Sequence, residues 1–593
     1  MKIKNIKFGR DEFLLHLSSI LLALFVFYSV VFAANLLKIS FYLGYKRYIV
    51  NITVLSVEAD KVLWIASITL FSAIIILRRL KNGFTGFTVI LDREMLVLSI
   101  FYGMLILLAI EIASLACWIY NLFHLSSPFS GESWRFAFLE TQLTNILYPA
   151  LPILLMFFAY SWVGEFTFKG LLTRGEENEN ENVSKDSLSF KSSKVSAIII
   201  VSSFVAALFI GYYNYAVAGV NNPGFPGVDV PHYTKWLKEM LNTNPTDAVI
   251  YASKNDRFLY LVLQYLCFSV SGSSPEAFVA YSIPVILTFL LMLSTFFLVR
   301  AGGSLLHAST AMLVTVFSFQ VTVGVYAGFF ANWFALTFVY IFYGLLMRAL
   351  KFKNRSPFLL VLSGVSSVAV LYTHPWTWIL LVMLILSAYI VTTLLLIYIR
   401  KKDIHDYLWE LKFLAALLAF NLVMFYVKGL LNIGGGARIG GYIDVKTFRP
   451  SLWNVFALRY FLDRTFNWYV GGFYAYAPTI LLAILGVFSI LDYGDRYNRL
   501  LLNWMLISSA MAFVDFPWQA RFLYLTPFNI YVSSGILYSA EKLSRVSEMK
   551  GQKRMATLIF WVFYALSLLL LMNYAVRCMT IKQFGPTGLT LNP

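Results

Sequence analysis

Long apolar stretches, each broken by a short polar or basic turn, fill most of this chain. Fifteen of them approach or reach the roughly 20 residues that cross a bilayer core. They are 13–37, 61–77, 95–120, 143–163, 196–216, 277–299, 306–325, 330–347, 357–373, 376–399, 413–430, 475–491, 499–514, 521–540 and 555–577. In lipid a segment must satisfy its own backbone groups, so each is predicted to be helical. A β-barrel would show short alternating segments instead. The pattern therefore predicts an all-α, polytopic transmembrane helix bundle of about 15 spans. The first run, Phe13 to Leu37, is too long for a signal-peptide core and reads as a retained span.

Phe258 to Val270 is apolar but short. It is expected to be a juxtamembrane or half-inserted helix, with a full crossing as the rival reading. The polar stretch Arg174–Lys194 contains Glu-Glu-Asn-Glu-Asn-Glu-Asn and has no apolar face, so it reads as a cytoplasmic linker. It separates a four-span module at 1–173 from a larger one at 196–593, with 174–195 between them.

Composition adds orientation. The 593 residues are 59% hydrophobic and 13% charged, with a net charge of +17. The basic residues concentrate in Met1–Arg10, Arg78–Lys81, Arg348–Arg355, Arg400–Lys402 and Lys542–Arg554. Such clusters set topology, so they belong in the cytoplasm and imply no nucleic-acid partner. The N-terminus is then inside. The loops 217–256, 324–332, 431–474 and 515–520 face outside, with the tail from Arg577. Much of the 17% aromatic content fits interfacial belts and packing. The three cysteines, Cys117, Cys267 and Cys578, form no metal or redox motif.

The outer loops hold most of the unusual polar residues. Gly224-Phe-Pro-Gly-Val-Asp-Val-Pro-His-Tyr233 is a turn-rich loop carrying Asp229 and His232. An amphipathic stretch, Tyr233–Leu241, follows and is expected to lie on the membrane surface. Asp229 fits two roles, a cap for that helix and a general base. Asp515-Phe-Pro-Trp-Gln-Ala-Arg521 puts Asp515, Gln519 and Arg521 at the mouth of a late span. There an arginine either snorkels to headgroups or grips a phosphate. Thr373-His-Pro-Trp376 is either a proline turn in an aromatic belt or a contact in which His374 meets a headgroup or sugar and Trp376 stacks on a sugar or lipid tail. The glycine-rich run Gly434–Gly441 lacks the lysine and setting of a P-loop. Its loop offers Arg438 and Arg464 to an anionic lipid phosphate. His16 and Glu111 are ionisable groups within apolar runs, with no partner evident from sequence.

In order along the chain, these clusters resemble the membrane glycosyltransferases of the GT-C superfamily. That group includes protein O-mannosyltransferases, lipid A aminoarabinose transferases and oligosaccharyltransferase catalytic subunits. The matching pieces are span 196–216, Asp229 in its loop, Arg300, Arg348–Arg355, Thr373-His-Pro375 and Arg521-Phe-Leu-Tyr-Leu-Thr-Pro527. The resemblance covers about 196–577 and accounts for 258–270 as a juxtamembrane helix. It implies Asp229 as catalytic base, Arg521 on the donor phosphate and a GT-C-like fold with outer loops. The chain departs from the family in three respects. The acid is a lone aspartate, the tip Tyr326-Ala-Gly-Phe-Phe-Ala-Asn332 offers Asn332 where an acid is usual, and the first four spans have no counterpart. No metal and no cofactor are read from the sequence.

The resemblance implies a donor sugar held by one phosphate on a polyprenyl or dolichyl lipid. The acceptor is a glycan, lipid or protein, and membrane lipids surround the bundle. Inverting transfer takes place on the outer face. Two alternatives stay open. One is a transporter or flippase, which would place functional charges near the midplane and show paired repeats. No clear repeat is evident. The other is a non-catalytic subunit of polysaccharide assembly that keeps the fold.

Overall fold

A computed structural model describes residues 10–36, 40–43, 46–49, 57–82, a few positions between 98 and 109, 192–221, 229–351, 357–399, 403–434, 477–490, 495–514, 525–548 and 553–584. Helix dominates. In chain order the helices are α1 (Arg10–Leu36), α2 (Val57–Asn82), α3 (Ser192–Asn221), α4 (Val230–Leu241), α5 (Pro245–Ser253) and α6 (Phe258–Phe268). Next comes α7, running from Pro275 to Gly302 through a π-helical turn at Phe278–Ser282. Then follow α8 (Leu305–Val316), α9 (Phe319–Ala327), α10 (Phe330–Lys351) and α11 (Pro357–Thr373). The helix α12 starts as Pro375–Trp378, passes through a π-helical turn at Ile379–Leu384 and continues as Ile385–Ile399. The last are α13 (Ile404–Leu430), α14 (Ala477–Ser489), α15 (Arg496–Ala510), α16 (Phe528–Glu548) and α17 (Lys553–Phe584).

Among the described residues, seven helices are long and apolar enough to cross a membrane. They run over Ser193–Gly211, Pro275–Gly302, Leu305–Thr322, Phe330–Lys351, Pro375–Tyr398, Ile404–Leu430 and Lys553–Met572. The chain is a helical membrane protein. All of the expected span 143–163 and most of 95–120 lie outside the described residues, as does most of the linker 174–195.

Three details differ from the sequence expectation. A small antiparallel hairpin, β1 (Ser40–Leu43) with β2 (Lys46–Ile49), stands between α1 and α2. The expected span 306–325 is interrupted at Phe317 and Ser318, where Ser318 takes an extended backbone and starts α9. The helix expected at 413–430 begins at Ile404, because Asp403 caps it by accepting the His405 amide at 2.9 Å. The short apolar segment, by contrast, is the 11-residue α6. At 1.5 Å per residue it is roughly 16 Å long, about half a bilayer core.

Small residues and buried polar contacts hold the helices together, as expected where lipid supplies no hydrophobic drive between them. A side chain at Gly486 or Gly535 would overlap the backbone of the facing helix, so α14 and α16 meet main chain to main chain. Asn529 ties three helices to α16. It accepts from the Tyr340 hydroxyl at 3.0 Å and donates to Thr295 at 3.1 Å and Thr315 at 2.8 Å. The π-helical turn in α12 shifts its carbonyls, and the Tyr343 hydroxyl donates to that of Leu381. Nearer the N-terminus, Trp64 donates to Ser29 at 2.8 Å, and His16 Nδ1 meets the Tyr102 hydroxyl at 2.8 Å. His16 thus has a partner that the sequence did not indicate. Glu111 lies outside the described residues.

Candidate functional site

The corner between α9 and α10 organises one end of the bundle. Gly328 ends α9 in the left-handed region, φ +70°. A side chain there would have its Cβ 3.1 Å from the Asp229 amide nitrogen and 3.2 Å from the Asp229 Cβ. Three residues on, the Ala331 amide donates to the Tyr233 hydroxyl at 3.3 Å, which uses one of the free donors at the start of α10. Next to it, Asn332 accepts from the Thr377 hydroxyl at 2.5 Å. Within the stretch 328–332, Gly328 faces the Asp229 turn, Ala331 binds the amphipathic helix and Asn332 binds the His-Pro turn.

Asp229 precedes α4, and its carbonyl accepts from His232 and Tyr233 at 3.1 and 3.2 Å. Its carboxylate makes no capping hydrogen bond, and its backbone is helical rather than extended. The capping role open in the sequence is thus not the one its side chain plays. Pro231 in the first turn starts the helix instead. Val230, Tyr233, Thr234, Leu237 and Met240 form the buried face of α4, while His232, Lys235 and Lys238 are exposed. Beyond its first turn, Lys238 pairs with Glu276, and that bond holds the Glu276 carboxyl below its usual range.

Tyr233 is buried, with its ring 5.4 Å from Phe330 and 5.1 Å from Tyr260. Arg257, just before α6, lies with its guanidinium 5.4 Å from the ring centroids of both Tyr233 and Trp236. Burial works against its charge, but Tyr233, Asp256 and Asp229 more than offset that and raise its pKa. Burial likewise raises the Tyr233 hydroxyl, opposed by Arg257. The polar loop, α4 and α6 thus share one electrostatic cluster.

His374 opens α12, its Nδ1 accepting the Thr377 amide at 3.2 Å. Both His374 and Trp376 are buried, at 7% and 5% exposure. The chain leaving α13 docks at the end of α5, where the Gly434 amide donates to the Ser253 carbonyl at 2.7 Å. Lys428, fully buried, donates to the Ile433 carbonyl at 2.9 Å and secures that exit.

The late motif is clamped at its C-terminal end. Trp504 donates to the Leu525 carbonyl at 2.8 Å, and Gln320 donates to that of Thr526 at 2.7 Å. Gln320 lies at the start of the nine-residue α9 and Gly328 at its end. Arg438, Arg464, Asp515, Gln519 and Arg521 lie outside the described residues. Of the residues expected at the site, then, Asp229, Asn332 and His374 gather around one corner. Trp376 packs beside it in α12, and His232 is exposed on α4.

Sequence reasoning missed Arg257, Gly328, Gln320 and a buried charge cluster at the start of α15. There Glu410 accepts from Arg496 at 2.9 Å, Arg499 at 3.3 Å and Tyr389 at 3.1 Å. Glu410 and Arg499 are 2% and 0% exposed. Glu410 reads in the sequence as part of a solvated edge, because the apolar run starts after it. Arg257 carries a weak signal, a charge standing directly before the aromatic-rich α6.

No protein-family model and no curated protein matches this chain. Solved structures similar to it include an archaeal oligosaccharyltransferase from Archaeoglobus fulgidus, in complex with an inhibitory peptide and a dolichol-phosphate. The TM-score is 0.41 at 11% identity, covering 65% of this chain and 56% of that one. The apo form of the Archaeoglobus fulgidus enzyme gives 0.41 at 12%, with the same coverage. Its complex with zinc and sulfate gives 0.41 at 12%, covering 64% of this chain and 53% of that one. The matched region spans little more than half the length of these proteins.

Proposed function

We propose that this protein is a membrane glycosyltransferase that moves a sugar from a polyprenyl or dolichyl phosphate to an acceptor hydroxyl on the outer face. The observation that carries this reading is the bridge made by α9. Its last turn seats Asp229 through Gly328, and its first turn holds the Thr526 carbonyl through Gln320. Eight residues of helix separate those contacts, roughly 12 Å at 1.5 Å per residue. Arg521 precedes Thr526 by five residues, a reach of at most about 18 Å. Arg438 follows the docked Gly434 by four residues, at most about 14 Å. Through α9 the turn that carries Asp229 is thus linked to the strip that follows Arg521 in the sequence.

In this mechanism Asp229 accepts the proton of the acceptor hydroxyl. The acceptor oxygen attacks the anomeric carbon as the bond from that carbon to the phosphate oxygen breaks. The electron pair leaves with the lipid phosphate, whose growing charge is met by Arg521, helped by Arg438 or Arg464. His374 and Asn332, joined through Thr377, set the floor beside the sugar. Single displacement inverts the anomeric carbon. Membranes containing the full chain, given a panel of radiolabelled polyprenyl-phosphate hexoses, are expected to yield a product of inverted configuration by NMR. A retained configuration would rule out this mechanism.

A further inference from the structure

We propose that α6 is a lid over the donor sugar, and that Gln264 and Tyr260 on its inner face select that sugar by its hydroxyl groups. The inference rests on the transfer reaction proposed above and names specificity-determining residues for it. Three ring contacts trace the path of α6. Phe258 lies 6.4 Å from Tyr372 at the end of α11, Tyr260 lies 6.2 Å from Phe334 near the start of α10, and Phe268 lies 5.4 Å from Phe278 near the start of α7. The helix therefore roofs one end of all three. It is the end at which the α9–α10 corner meets Asp229. Tyr260 also packs 5.1 Å from Tyr233, whose amide the Asp229 carbonyl receives.

Under that roof two polar side chains are buried, Gln264 at 2% exposure and Tyr260 at 3%. Neither amide atom of Gln264 and not the Tyr260 hydroxyl has a hydrogen-bond partner among the described residues. A buried unpaired group carries its full desolvation penalty, so for packing alone an apolar residue would serve better. The two stand four residues apart on the buried face of α6. Their Cβ atoms are then about 5–6 Å apart, close to the width of one sugar ring. An amide offers both donors and an acceptor, and a phenol hydroxyl one of each. That set suits neutral hydroxyls, which also give and take hydrogen bonds, better than a phosphate, which only accepts. The Phe334 and Tyr233 rings beside Tyr260 supply apolar surface for the C–H face of a sugar.

With α6 seated these polar atoms are covered, so the sugar enters as the lid lifts. The unpaired amide itself weakens the seated state, and weakly held segments open at low cost. The exit from the helix allows the swing. Val270 is 86% exposed, and Gly272 has φ +64° with nothing within 4 Å of the place a Cβ would take. On binding, Gln264 and Tyr260 exchange unpaired burial for hydrogen bonds to the sugar.

The test is a donor panel read against two variants. Membranes containing the full chain are given polyprenyl-phosphate glucose, galactose and mannose, each with its monodeoxy forms. Wild type is expected to transfer one monodeoxy donor about tenfold less well in kcat/KM than its parent, the effect of one neutral hydrogen bond. Gln264→Leu is expected to lower transfer of the parent by about the same factor and to erase the difference at that hydroxyl. Tyr260→Phe keeps the ring contacts and is expected to erase the difference at a neighbouring hydroxyl. A common fall for parent and deoxy donors marks a merely structural role and overturns the inference, as does unchanged discrimination in both variants. The unfolding midpoint in detergent, without donor, separates the inference from the reading it rests on. Relief of unpaired burial is expected to raise it in Gln264→Leu. A lowered midpoint, or failure to fold, overturns the lid assignment even where wild type transfers sugar. A panel in which wild type transfers no hexose while Gln264→Leu is stabilised defeats the transfer reading first, and with it the choice of a sugar.

Discussion

Gly328 faces Asp229 so closely that a Cβ built on it would lie 3.1 Å from the Asp229 amide nitrogen and 3.2 Å from the Asp229 Cβ, tighter than ordinary van der Waals contact. The left-handed backbone of Gly328 turns α9 into α10 at that point. One glycine thus solves two problems, closing a helix and seating the acid. Substituting Ala costs about 1–2 kcal/mol for the left-handed backbone alone. The new methyl must also push the Asp229 turn away. Gly328→Ala is therefore expected to lower transfer by at least roughly tenfold, a loss of about 1.4 kcal/mol of transition-state binding, while the protein still inserts and purifies. Steady-state transfer with protein yield as control checks this, and unchanged transfer would show that the contact has no part in the chemistry.

Gln320 works at the other end of α9. Its amide holds the Thr526 carbonyl, five residues from Arg521. Gln320→Leu removes that bond, worth about 0.5–1.5 kcal/mol, and loosens the strip that carries the arginine. The expected signature is a several-fold rise in the KM for the polyprenyl-phosphate donor with little change in kcat. A fall in kcat with unchanged KM would place Gln320 with the base rather than with the donor.

Glu410 is expected to matter for stability and not for transfer. It is the carboxylate partner of Arg499, which has no exposure, and it also receives Arg496, whose side chain is 42% exposed. Breaking a buried pair from one side costs about 3–5 kcal/mol, because the other charge is left behind. Glu410→Gln should sharply lower thermal stability in detergent, whereas molecules that fold should transfer at a near-normal rate. A stable but inactive variant would give this cluster a direct role and revive a charge-based transport reading.

Much of the architecture was legible in the sequence because lipid imposes simple rules. The helices expected at 196–216, 277–299, 330–347 and 376–399 stand in the structure as α3, α7, α10 and α12. The length of α6 was readable because a segment too short to cross has few alternatives. The amphipathic face of α4 was readable from its 3.6-residue period. The partners were not. A glycine in Tyr-Ala-Gly-Phe-Phe signals a turn but not the residue packed against it. Glu410 and Arg499 stand in separate polar edges, and only tertiary packing turns two solvated charges into a buried pair. The hairpin at Ser40–Ile49 was missed because Lys46 and Arg47 read as a polar connector.

The central claim is that Asp229 is the base that activates the acceptor. Its most direct test is transfer of radiolabel from polyprenyl-phosphate hexoses in membranes containing the full chain, comparing wild type with Asp229→Asn at equal protein. Asn has nearly the shape of Asp but cannot take the proton. The account predicts a kcat lowered by about 10²–10⁴ with donor binding retained. Transfer at the wild-type rate by Asp229→Asn would contradict it.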